Sequence, residues 1–133
     1  MDEAVDKPGE PLELLQDFDV RYRFLSESEG GRKTGPPLQG YRSDWAYEGD
    51  EIDQTGMWMI WPFFEDKNGK LLPMGECVLA EGIARMVIVS DALRKEVHCK
   101  RLVEGTKGYF MEGRRRVAEA EVVRIVGLYS GKQ

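Results

Sequence analysis

Cysteine, histidine and long apolar runs are what this chain has least of. Its 133 residues hold two cysteines, Cys77 and Cys99, and one histidine, His98. The cysteines fit neither a zinc spacing nor a C-x-x-C pair, so a zinc ribbon and a dithiol redox motif are excluded. Two reduced thiols in a cytoplasmic protein are expected instead. His98 and Cys99 are sequence neighbours, and neighbours on a strand face opposite ways, so they cannot form a nucleophile–base pair. Nothing in the sequence orients Cys77 against His98 either. No apolar run reaches the ~20 residues of a membrane-spanning helix. The first residues, Met1 to Lys7, are acidic and lack the basic-then-apolar order of a signal peptide. A cytoplasmic location without a membrane is therefore expected.

Positive charge is also in deficit. Nineteen Lys and Arg face 24 Asp and Glu, for a net charge of -5. That balance argues against a dedicated nucleic-acid binder, which usually carries a basic face, although it leaves room for a local basic patch. There is no G-x-x-x-x-G-K-S/T loop, hence no motif to cradle nucleotide phosphates. Asp50, Glu51 and Asp53 cluster without the spacing of an EF-hand and read as a charged turn. No cofactor, metal or catalytic residue is expected. What remains is a chain with 41% hydrophobic and 32% charged residues. Those fractions belong to a soluble globular protein of one domain.

The first 16 residues are acidic, hold Pro8 and Pro11 and show little periodicity. They read as a flexible arm with Leu12, Leu14 and Leu15 as a docking point, ahead of one domain over 17–133. Val20, Tyr22 and Phe24 then alternate with Arg21 and Arg23 at the period of a strand. Further strands are predicted over 41–47, over 57–61 (ended by Pro62) and over 84–90. Turns are predicted at 48–51, 66–70 and 73–76. The stretch 91–102 reads equally as a short helix capped by Asp91 or as a loop entering a strand at Val97. Residues 108–117 read as a hairpin. Over 117–126 helix propensity competes with the alternation of Ala118, Ala120 and Val122, and the glycine-bracketed hairpin favours a strand. Many short strands separated by turn signals predict an all-β barrel or sandwich.

Two arginine-bearing segments are the candidate sites. In Gly30-Gly31-Arg32, the guanidinium can grip a phosphate or a partner's carboxylate with two prongs. Alternatively, Arg32 pins its own loop to an acid such as Glu29 or Asp44. Arg42 has the same two readings. Arg114, Arg115 and Arg116 form the densest positive run, but on a strand Arg115 points away from the other two. With Lys100, Arg101 and Lys107 they form either a basic rim for an RNA backbone or a solvated hairpin. Trp45, Trp58 and Trp61 read as core or wall residues, and two of them exposed would mark an interaction face.

One block is more specific. Ser28-Glu29-Gly30-Gly31-Arg32-Lys33-Thr34, followed by Gly40-Tyr41-Arg42, resembles the opening of the C-terminal β-barrel (domain 3) of bacterial elongation factor Tu. Leu72-Pro73-Met74-Gly75-Glu76, with the strand Ala84 to Ile88 after it, is similar to a Met-Pro-Gly-Asp turn of that domain. Tyr109-Phe110-Met111-Glu112-Gly113-Arg114-Arg115-Arg116-Val117 is similar to its last hairpin. The resemblance runs from about Val20 to Leu128 and implies a closed six-stranded antiparallel Greek-key barrel. It also favours the strand over 117–126. The factor's GTPase domain and middle barrel have no counterpart here. The segments at 47–51, 66–70 and 90–95 depart from the family pattern, and all three fall in loops.

By that resemblance the chain is a non-enzymatic binding module. Its partner is expected to be a protein, such as a translational GTPase or a protein that regulates or recognises the factor. The alternative is a tRNA-backbone contact through the basic hairpin. The residues implied for binding are Gly30, Gly31, Arg32, Thr34, Tyr41, Arg42, Glu112, Gly113, Arg114, Arg115 and Arg116.

Overall fold

The computed structural model describes residues 15–128. Most of the arm predicted over 1–16, with Leu12 and Leu14, lies outside the described residues. Gln16 is already buried, and its amide donates to Asp19 at 3.1 Å.

Six strands form: β1 (Phe18–Phe24), β2 (Asp44–Tyr47), β3 (Ile60–Phe64), β4 (Glu81–Ile88), β5 (Lys107–Glu112) and β6 (Arg115–Ile125). They make one antiparallel sheet in the order β2-β5-β6-β1-β4-β3. The period-two pattern does the work expected of it. β1 turns Phe18, Val20, Tyr22 and Phe24 inward, and β6 adds Val117, Ala118, Ala120 and Val122. Around them Tyr22, Phe24, Phe64 and Phe110 pack mostly edge to face, with Tyr22 and Phe64 centroids 5.1 Å apart. Gly108 is required by this packing, because a Cβ there would lie 2.3 Å from the Trp45 ring. β6 is a strand and not a helix. It pairs with β5 on one side and β1 on the other, and that pairing overrides its helix propensity.

The sheet is curled like half a barrel and does not close, which corrects the expectation of a closed barrel. Its two edges, β2 and β3, share no ladder. Among the described residues one isolated bridge spans the seam, between Trp45 and Trp58, with reciprocal bonds of 2.8 and 2.9 Å. A side chain takes the place of a further strand. The buried Gln39 accepts the Phe64 N–H through Oε1 at 2.9 Å and donates from Nε2 to the Phe64 and Leu72 carbonyls, each at 2.9 Å. Phe64 therefore points its backbone polar groups away from β4, and Pro62, two residues earlier, faces the same way. Its missing donor removes no ladder bond, which is how β3 runs through Pro62 instead of ending before it.

The ambiguous stretch is helical. α2 (Asp91–Leu93), a π-helical stretch (Arg94–His98) and α3 (Cys99–Arg101) run head to tail. The cap is Ser90, whose hydroxyl accepts the Leu93 N–H at 3.1 Å, and not Asp91. A short helix, α1 (Ile52–Thr55), and a 3-10 turn (Glu27–Glu29) complete the described elements.

Candidate binding corner

β1 ends at Phe24 and the chain turns sharply. Ser26 caps the 3-10 turn in a reciprocal box with Glu29. Gly30 follows at φ 95°, a left-handed conformation that suits glycine. At Gly31 a Cβ would stand 2.1 Å from the Leu25 carbonyl oxygen, so only glycine fits. These two glycines deliver Arg32 to a definite place. Its Nε donates to the Gly35 carbonyl at 2.8 Å and its Nη2 to the Thr34 hydroxyl at 3.4 Å. Its Nη1 makes an ion pair with Glu112, at the end of β5. The Tyr41 hydroxyl donates to the same Glu112 oxygen, and the guanidinium lies 5.1 Å from the centre of the Tyr41 ring.

Residues far apart in sequence thus meet at one corner. The Leu72–Glu76 segment joins them. Met74 Cε would be 2.9 Å from a Cβ on Gly40, the Gln39 N–H donates to the Glu76 carbonyl, and the Gly75 N–H donates to the Gln39 carbonyl. Arg115 reaches the Gly31 carbonyl at 3.5 Å, and Gly113 makes the β5–β6 turn at φ 58°. The alternative in which Arg32 pins its own loop to an acid of the barrel therefore takes shape here, with Glu112 on β5 as the acid and not Glu29 or Asp44. Glu29 instead pairs with Arg23 at 3.1 Å, which draws its carboxyl down to about 2, with help from the Ser26 backbone N–H.

The corner is half open. The Arg32 and Glu112 side chains are 22% and 36% exposed, and a cleft of about 340 Å³ opens beside Arg32, bounded also by Ser26, Lys33 and Pro36. Burial pushes the Tyr41 phenol above its usual range, and its bond to Glu112 adds to that. Burial opposes the charge on Arg32, but the Glu112 bond outweighs it and the guanidinium is held more firmly charged than usual. Neither group is poised to exchange a proton near neutrality. At the corner a cation and a hydroxyl donor converge on one carboxylate oxygen.

The other predicted site residues scatter. Arg42 lies over Trp61 at 4.2 Å, away from Arg32. The arginine run divides three ways. Arg114 pairs with Asp53, Arg115 joins the corner, and Arg116 stacks on Tyr109 at 4.1 Å. Arg101, expected in the same rim, is held by Asp50 through two bonds of 2.9 Å. Acids therefore meet several of the cations that an RNA-binding rim would need. Trp45 is fully buried, and Trp58 and Trp61 are half-buried, so the tryptophans do not mark an exposed face. Exposed apolar side chains are spread over the described residues instead, among them Leu15, Leu38, Met59, Met74 and Val103. No group of three or more His, Cys, Asp or Glu among the described residues could hold a metal ion. No helix among them is long and apolar enough to cross a membrane.

A second polar cluster escaped the sequence reading. His98 bonds to Tyr47 on β2, and Arg94 reaches Asp17 at the head of β1. Its one signal in the sequence was an arginine and a histidine four residues apart in an otherwise exposed insertion, a spacing that places both on one helical face. A comparison with protein-family models finds no match for this chain, and a comparison with curated proteins finds none either.

Proposed function

We propose that this chain is a relative of the third domain of elongation factor Tu that acts as a cytoplasmic, non-enzymatic binding module. Its partner on this reading is a protein, namely a translational GTPase or a protein that regulates one. The observation that carries the proposal is the meeting of Arg32, Tyr41 and Glu112 at one half-open corner, with Met74 packed against Gly40, the neighbour of Tyr41. Those residues come from the separate segments on which the resemblance rests. The ion pair is half open, and exposed Leu38 and Met74 lie close by in sequence or packing to Gly40 and Tyr41, a mix of charged and apolar groups of the kind found in protein interfaces. The pairing of Arg101, Arg114 and Arg32 with acids speaks against a strong phosphate-backbone site.

The test is direct binding of the purified chain to a translational GTPase, to that GTPase's exchange factor and to tRNA, each at low and high salt. The proposal expects a salt-tolerant protein complex that Arg32→Ala and Met74→Glu each weaken about tenfold or more. Binding to tRNA alone, with affinity falling steeply as salt rises, would establish the RNA-binding alternative. No binding to any of the three would remove the translation reading.

A further inference from the structure

The helical stretch over 91–101 lies against the seam side of the sheet, held by Arg94 on Asp17, by His98 on Tyr47 and, at its end, by Arg101 on Asp50. Arg94 is 6% exposed and donates from Nε to Asp17 Oδ1 at 2.9 Å, while also pairing with Asp91. The second oxygen of Asp17 accepts the Ile88 N–H at 2.8 Å. Four residues on, His98 is 1% exposed, with Nδ1 2.6 Å from the Tyr47 hydroxyl. We assign the phenol as donor, because burial keeps it protonated well above neutrality, so that the imidazole is neutral.

The surroundings of His98 favour that neutral form. Trp58, in the segment before β3, meets its ring edge to face with centroids 5.0 Å apart. Arg101 on α3 lies over the Tyr47 ring at 3.8 Å and is held there by Asp50. Burial is the main force against an imidazolium and the Arg101 cation the next, while Asp17 acts the other way. The balance draws His98 down to about 4. None of the six strands includes a residue of 91–101, so the stretch contributes nothing to the ladders of the sheet.

We propose that residues 91–101 form a cap latched onto the β2 side of the sheet by neutral His98, and that protonation of His98 releases the cap while the six-stranded sheet stays folded. Release uncovers Tyr47 and Trp58 beside the bridge of the seam. The sign follows from linkage. A released His98 titrates at its ordinary value and the docked one much lower, so acid favours release. The opening constant rises about 20-fold between about pH 7 and pH 5.

Amide hydrogen exchange of the whole chain, followed by NMR and divided by the intrinsic pH dependence, tests this. Amides over 91–101 should be less protected than those of β1 and β6, and their protection should fall about 20-fold between about pH 7 and pH 5. His98→Gln, which keeps an acceptor for Tyr47 without titrating, should abolish that fall. Arg101→Gln, at a partly exposed site, should shrink it by removing the cation that opposes the imidazolium. One shared protection factor for the stretch and for β6 at every pH would overturn the proposal, since opening would then be global. So would a fall that survives in His98→Gln. If that variant does not fold, a fall in Arg101→Gln as large as in the wild type would overturn it.

Discussion

The corner around Arg32 and the cap around His98 use the same two side chains to opposite ends. Each places an arginine by a tyrosine ring and lets the tyrosine hydroxyl bond a third group. At the corner the third group is a carboxylate and the cluster is half in water, so its charges are screened and exchangeable. Under the cap the third group is an imidazole at 1% exposure, with a buried Arg94–Asp17 pair close by. There charge is costly unless matched, and a single proton changes the balance. Burial, more than composition, decides how much an added charge or proton costs in such a cluster.

The sharpest way to break this comparison is Asp17→Ala. It leaves buried Arg94 with the half-exposed Asp91 but without its buried carboxylate, and the Ile88 N–H without an acceptor, and should cost about 3 kcal/mol in denaturant unfolding. A loss below about 1 kcal/mol would mean the cap is no more buried, in energetic terms, than the corner.

Acid gives the next largest effect. His98 has a depressed value in the folded state, so its contribution is fully present above about pH 6.5 and is lost as pH falls toward 4. Unfolding free energy should decline over that interval by about 3 kcal/mol in the wild type and less in His98→Gln, read from denaturant curves at a series of pH values. Equal slopes in the two would remove His98 from the account.

Tyr47→Phe and Tyr41→Phe sharpen the contrast pairwise. Loss of the Tyr47 hydroxyl leaves a buried nitrogen unpartnered and should cost about 1–2 kcal/mol in thermal or denaturant unfolding. Loss of the Tyr41 hydroxyl leaves Glu112 with Arg32 and with water, so the cost should stay near 0.5 kcal/mol. A comparably small stability effect is expected for Arg32→Ala, about 0.5 kcal/mol or less, although it is the variant expected to weaken partner binding most clearly. A large loss of stability there would make the corner a structural clamp.

Much of the strand content was legible in the chain. Val20, Tyr22 and Phe24 alternate with charged neighbours, and so do Ala118, Ala120 and Val122, because a pleated strand sends successive side chains to opposite faces. The glycines of the Gly30-Gly31-Arg32 turn were legible too, because positive φ and close backbone approach are demands that glycine meets at one position. The length of β3 was misread. Pro62 ends a central strand but is tolerated on an edge, and nothing local says which strand is the edge. The helical stretch over 91–101 is not legible in the same way, since its hydrophobic pattern is weak and its anchors are Arg94 and His98, residue types that usually face water.

Local order along the chain therefore decided where strands and tight turns form, because those depend on backbone preference and on the alternation of neighbours. Contacts between distant segments decided the rest. Glu112, and not Glu29 or Asp44, meets Arg32 because β5 ends beside the glycine turn. The sheet stays open because Gln39 and Trp58, both in loops, satisfy the edges of β3 and β2. A hydrogen bond or an ion pair needs its partners within a few ångströms. For residues tens of positions apart in sequence, that proximity is a property of strand register and packing and of nothing in their immediate neighbours.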